Sequence, residues 1–163
     1  MKRDGNKVLL WSKYYLDYQP YSTDNTEYWE NSYLRQWLNS DFINTAFNKE
    51  QQEYIQESTI NNAYEFSEAV YESYGGPNTV DRVFIFSADE IPKYKKYVED
   101  FRTTVFAKKT HIYEGEGWLR SPSSKGVVAS IRHSGEQDGK GGYGIWPDYV
   151  MPALWINVEN IFQ

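Results

Sequence analysis

Apolar positions fall in short runs along this chain, some alternating and others, as at 34–38 and 94–101, at helical spacing. Asp4-Gly5, followed by Val8, Leu9, Leu10 and Trp11, reads as a hairpin turn entering a strand, because Gly supplies positive φ at little cost. Few residues precede that turn, so Lys7 to Trp11 is expected to be an exposed edge open to pairing with another chain. From Ser32, Leu34, Trp37 and Leu38 lie at i, i+3 and i+4, with Ser32 as N-cap. Asn39-Ser40-Asp41 is expected to break this helix, Asp41 to cap a second over Phe42 to Phe47, and Asn48 a third over Glu50 to Ile55. The polar stretch from Gln56 to Asp81, with Gly75-Gly76-Pro77, reads as surface loop.

Val83 to Phe86 is a short apolar strand. Ser87 and Glu90 have capping-box spacing ahead of a helix through Tyr94, Tyr97, Val98 and Phe101, whose start Pro92 shifts. Beyond residue 110 the signals are strand and turn: Val127, Ala129 and Ile131 alternate with Val128, Ser130 and Arg132, and Ala153 to Val158 forms a last strand. Gly135 to Gly144 reads as a Gly-rich loop between them. The pattern predicts one α+β domain over residues 1–163. Two or three helices in the N-terminal half pack on short twisted antiparallel strands, and long loops occupy the C-terminal half.

Composition sharpens two points. With 15 Tyr, 8 Phe and 6 Trp, the core should be built from rings. A net charge of −6 with no dense basic run argues against a nucleic-acid partner, and no run approaches the roughly 18 apolar residues of a membrane span. The absence of Cys removes disulfides, thiolate metal sites and thiol catalysis.

Three islands, LRQWLN with NTAF and EQ (34 to 51), GWLRSP (117 to 122) and PALWIN (152 to 157), resemble the signature of the bacterial domain of unknown function family 6273, common in Firmicutes. KVLLWSKYYLDYQPY and DRVFIFS extend the likeness over nearly the whole chain. The WLRSP and PALWI elements are more distantly similar to C-type-lectin-like folds of the formylglycine-generating-enzyme type. That resemblance implies displayed loops on one side of a compact domain, on a bacterial surface or within an exported protein. Two departures stand out: Met151 occupies the place where the family usually has Arg, and the family usually carries a further N-terminal strand or two.

Catalytic chemistry finds little support. Ser121 has no Gly-x-Ser-x-Gly elbow, and only His111 and His133 exist as bases. The cysteine pair or His cluster that holds copper or iron in enzymes of the resembled fold is missing, and Trp146-Pro147-Asp148 is a distant echo of a calcium-lectin tripeptide. No catalytic residue, metal or cofactor is expected. A carboxylate hydrolase needs two acids across a cleft, whereas Glu114 and Glu116 would share one strand face. Trp118, Arg120, Ser121 and Trp155 are expected to form a structural clamp, with the Arg120 guanidinium beside the Trp118 indole and its donors spent on loop carbonyls. Arg132, His133, Tyr143, Trp146, Asp148 and Tyr149 are the candidate ligand-binding residues, since rings with a few polar neighbours suit sugar faces and protein partners. The expected function is non-enzymatic recognition of a glycan or protein, with assembly through the edge at residues 7–11 as the alternative.

Overall fold

The computed structural model describes residues 2–63, 75–97, 102–104 and 115–159. Of these, 41% lie in strands and 22% in helices, so the architecture is mainly β and sandwich-like. This corrects the α+β, C-type-lectin-like expectation. The first sheet is built from β1 (Lys2–Asp4), β2 (Lys7–Trp11) and β14 (Ala153–Asn157), with β5 (Ile55–Gln56) and β8 (Val83–Phe84) sharing the far edge of β14. The second has the order β12-β11-β10-β13-β4, from β12 (Gln137–Tyr143), β11 (Val127–Ile131), β10 (Gly117–Ser124), β13 (Pro147–Val150) and β4 (Asp17–Pro20). Two small ladders, β3 (Tyr14–Tyr15) with β9 (Arg102–Thr103) and β6 (Ser58–Ile60) with β7 (Thr79–Asp81), complete it.

The helical signal is real but short. Ser32 caps α1 (Tyr33–Trp37) by accepting from the Arg35 N–H, and Asn48 caps α3 (Lys49–Tyr54) in a reciprocal box with Gln51. Asn39-Ser40-Asp41 does not break the helix. It widens into a π-turn over Leu38–Phe42 that runs on into α2 (Ile43–Ala46). Side chains there bond back along the chain: Asn39 Nδ2 donates to the Arg35 carbonyl at 3.0 Å and Ser40 Oγ to that of Gln36 at 2.7 Å. Such back-bonding to i−4 carbonyls loosens the ladder without ending it. After Ser87 the described residues form a seven-residue 3-10 helix, Ile91–Tyr97, starting beside Pro92. The continuation through Val98 and Phe101 lies outside the described residues, as do Glu114 and His111.

Three further expectations change. Lys7–Trp11 is not an edge: β1 pairs with it through a turn at Gly5 (φ +57°), with Lys2 opposite Leu9, and β14 covers its other side. The geometric ground for strand addition at residues 7–11 is thereby removed. The stretch read as loop between Gln56 and Asp81 contains β5, β6 and β7, with Ser58 opposite Asp81. The Gly-rich segment is also a strand, β12, whose glycines answer a close approach: a Cβ on Gly141 (φ +54°) would stand 1.9 Å from the Val128 carbonyl oxygen, at an irregularity in the β11–β12 register. Gly142 makes way for the Trp118 ring in the same manner.

The core is aromatic. Trp29, Trp118, Tyr15, Tyr21, Tyr149 and Phe86 are all fully buried or nearly so. Tyr15 stacks on Tyr149 with centroids 4.9 Å apart, and Trp11 meets Phe86 at 4.5 Å. Met151 is buried too, and its terminal methyl packs against Gly117, where an added Cβ would lie 3.1 Å from it.

Candidate functional site

β10 runs through the middle of the second sheet, and residues Gly117 to Ser123 are buried on both of its faces. Arg120 is only 4% exposed, so its five donors must be met inside the protein. Nε donates to Asn62 Oδ1 at 3.1 Å, Nη1 to the Ile85 carbonyl at 2.7 Å and to Glu90 Oε2 at 2.5 Å, and Nη2 to the Asn61 carbonyl at 3.2 Å. The guanidinium lies over the Phe84 ring, 6.0 Å from its centroid. Glu90 Oε2 also accepts from the Ser87 N–H at 2.9 Å, so one carboxylate oxygen ties the Ser87–Glu90 turn to β10.

The network extends well beyond Arg120. Asn62 Nδ2 donates to Thr79 Oγ1 at 3.2 Å, Thr79 donates to Asp81 Oδ2 at 2.7 Å, and the other Asp81 oxygen takes Arg35 Nε at 2.6 Å. Trp29 Nε1 donates to Asp81 as well, at 2.9 Å. Helix α1, β7, the turn at 61–62, β10 and the turn at 87–90 are thus fastened by one buried chain of polar groups. Buried networks of this kind rigidify when every member is satisfied. Trp118 Nε1 donates to the Gln19 carbonyl at 2.9 Å and Ser121 Oγ accepts from the Ala88 N–H at 2.9 Å, so both join β10 to neighbouring segments. Trp155 lies apart from this group, half-buried on β14 with Lys2 Nζ 5.9 Å above its ring. Sequence reasoning misses Asn62 and Asp81, which sit in a polar stretch with no periodic signal, and Arg35, whose helix gives no sign of a partner 46 residues along the chain.

The candidate ligand-binding residues divide into three sets. Tyr149 is 2% exposed, stacked between strands, and belongs to the core, with Tyr15 against its face and Tyr18 against its edge. His133 packs edge-on to Tyr15 at 4.8 Å. Asp148 faces inward: its Oδ1 accepts from the backbone N–H of Glu116 at 3.0 Å and of Tyr149 at 2.9 Å, and a Cβ on Gly115 would stand 2.8 Å from it. Burial pushes the Asp148 carboxyl up to about 7, and the neighbouring Glu116 charge adds to this while the two backbone bonds oppose it.

Arg132 is solvent-facing but enclosed by acids. It pairs with Glu116 at 3.0 Å, Glu136 at 3.2 Å and Asp138 at 2.8 Å, and these partners hold its guanidinium even more firmly protonated than usual. Glu116 in turn accepts from Ser130 Oγ.

Tyr143 and Trp146 remain as the outward set. They are 56% and 65% exposed, their rings meet edge to face at 5.6 Å, and Ile145 between them is 40% exposed. All three sit where the Gly144–Trp146 turn joins β12 to β13, and that turn is fixed from both sides. Gly144 N–H donates to the Gly126 carbonyl at 3.0 Å, Ser22 N–H to the Gly144 carbonyl at 2.9 Å, and Trp146 N–H closes the turn on Tyr143 at 3.0 Å. Glu27 reaches across to accept from the Gly126 N–H at 3.1 Å, so three connections meet beneath the rings. Ile145 escapes sequence reasoning because an isolated apolar residue in a Gly-rich stretch carries no pattern.

The family model described as Domain of unknown function (DUF6273) matches residues 5–158. The chain belongs to this family. The match takes in the Arg120 network and the Tyr143–Trp146 turn alike, so both are features of a DUF6273 domain in this chain. No curated protein and no solved structure matches it significantly.

Proposed function

We propose that this DUF6273 domain is a non-enzymatic recognition module that binds a glycan or protein ligand through the ring pair Tyr143 and Trp146 with Ile145. The observation that carries this reading is the exposure of three neighbouring apolar side chains on a turn whose backbone is bonded to two other connections. Folding hides large rings wherever it can, and elsewhere in this chain Trp29 and Trp118 are almost wholly buried. A rigid aromatic pair in water suits a partner that supplies the missing cover at small entropic cost. A ring face of this kind takes the C–H face of a sugar or an apolar anchor of a protein.

A carboxylate reaction has a formal candidate in Asp148 beside Glu116, one of them with a raised pKa. Their bonds favour a structural role. Asp148 Oδ1 is committed to two backbone donors, and Glu116 to Ser130 and Arg132.

The test is a glycan and peptide array probed with the wild-type domain and with Trp146→Ala. Hits lost in the variant support the reading. An array without hits, or hits unchanged by the substitution, would overturn it.

A further inference from the structure

The helical segment contains a rare feature placed beside two cavities. A π-turn occupies Leu38–Phe42 between helical turns of ordinary geometry, Trp37 at φ −59° and Ile43 at φ −61°. Such wide turns are uncommon and concentrate at functional sites, because they cost hydrogen bonding and re-aim side chains. Here the turn brings residues five apart together: Trp37 and Phe42 meet with centroids 5.4 Å apart, and Phe47 continues the row 6.3 Å from Phe42.

One end of this aromatic row borders a cavity of about 530 Å³, whose wall includes Tyr18, Trp37 and Phe42 together with the carboxylates of Asp17 and Asp41. Among the described residues lining it, none is basic. Asp17 Oδ1 accepts from the Tyr18 N–H at 2.7 Å, which orients that carboxylate on β4, while Asp41 is carried by the π-turn itself. The other end borders a cavity of about 420 Å³ between helices α2–α3 and the first sheet, lined by Phe47, Leu10, Leu154 and Ile156. Phe42 belongs to the walls of both. Leu10 is 43% exposed at this second cavity although it lies on an inner strand of its sheet.

We propose that the paired cavities form a binding site for an amphiphilic organic cation, with an alkylammonium head between Asp17, Asp41 and the rings of Tyr18 and Trp37, and an apolar tail along Phe42 into the Leu10–Leu154–Ile156 chamber. Charge complementarity selects the head: ring faces and carboxylates together favour a weakly hydrated ammonium and oppose an anion. The apolar chamber selects the tail, because each methylene removed from water contributes about 0.8 kcal/mol. This site is separate from the Tyr143–Trp146 turn, and its failure would leave that reading untouched.

The experiment is a titration of the folded domain, read by amide and indole NMR shifts, with octyltrimethylammonium, tetramethylammonium, octyl glucoside and octyl sulfate. The expected result is saturable binding of the octyl cation, with shifts at the Trp37 indole and at Phe42 and Leu10. Tetramethylammonium binds more weakly, and octyl glucoside and octyl sulfate weaker than the octyl cation. Asp41 is solvent-facing, so Asp41→Asn should fold normally and weaken the cation about two- to five-fold, the range of a partly exposed charge pair. Equal binding of the neutral and cationic octyl compounds would overturn the head assignment, and equal binding of tetramethylammonium and its octyl relative the tail assignment. Absence of saturable shifts would overturn the site.

Discussion

Replacing Arg120 with Ala removes four side-chain hydrogen bonds that join β10 to the turns at 61–62 and 87–90, and strands their partners. The Ile85 carbonyl and Asn62, both buried, lose a charged donor, and each such loss costs about 1–3 kcal/mol. Breaking a fully buried ion pair costs about 3–5 kcal/mol, mostly from the charge left behind. Glu90 is not fully buried, its side chain being 26% exposed, so water would take up part of the stranded charge. The expected loss is therefore at the lower end, about 3 kcal/mol. For a domain of this size that corresponds to a melting point lower by about 6–12 °C. Urea unfolding followed by tryptophan fluorescence gives the free energy directly. Arg120→Lys should recover only part of it, because one ammonium cannot reach four separate acceptor groups with the spread of a guanidinium. A loss below about 1 kcal/mol, or full recovery with lysine, would refute the network as a stabilising element.

Asp148 predicts a pH effect of unusual sign. Its folded pKa of about 7 exceeds the unfolded value of 3.8, so between these values the folded state holds a proton that the unfolded chain has released. Its contribution to stability therefore falls as pH rises through that window and levels off above it, by at most about 4 kcal/mol at about 1.36 kcal/mol per unit. Asp148→Asn keeps the oxygen that accepts from Glu116 and Tyr149 and removes the charge. It should match the wild type near pH 4 and exceed it at pH 8 in urea melts, and equal stability at both would contradict the assignment. Gly141→Ala places a methyl against the Val128 carbonyl at positive φ and should cost about 2 kcal/mol or more, read by thermal melting. An unchanged melting point would contradict the bulge geometry.

Local chemistry was legible in this sequence wherever a short-range bond decided the structure. The hairpin turn at Gly5, the caps at Ser32 and Asn48 and the Ser87–Glu90 contact all follow from residues within three positions of one another. The mainly β architecture was not, because strands such as β3 and β5 span two residues each and have no period to detect. Glycine misled in the same way: in β12 it reads as loop, yet it is the residue that lets β12 lie against Val128 and Trp118. Polar side chains misled at Asn39 and Ser40, which widen a helix they were expected to stop. Among the candidate ligand residues, nothing local separates Tyr149 from Trp146, three positions apart. Only the stacking of Tyr15 on one and the solvent around the other does so.

The proposed recognition rests on the exposed rings at the β12–β13 turn. The most direct measurement is the affinity of the strongest array ligand for wild type and Trp146→Ala by calorimetry, with thermal melts alongside. Trp146 is 65% exposed, so the variant should melt like the wild type and bind about 30-fold or more weakly, the loss of a 2 kcal/mol anchor. Equal affinity in two equally stable proteins would place recognition elsewhere and contradict the proposal.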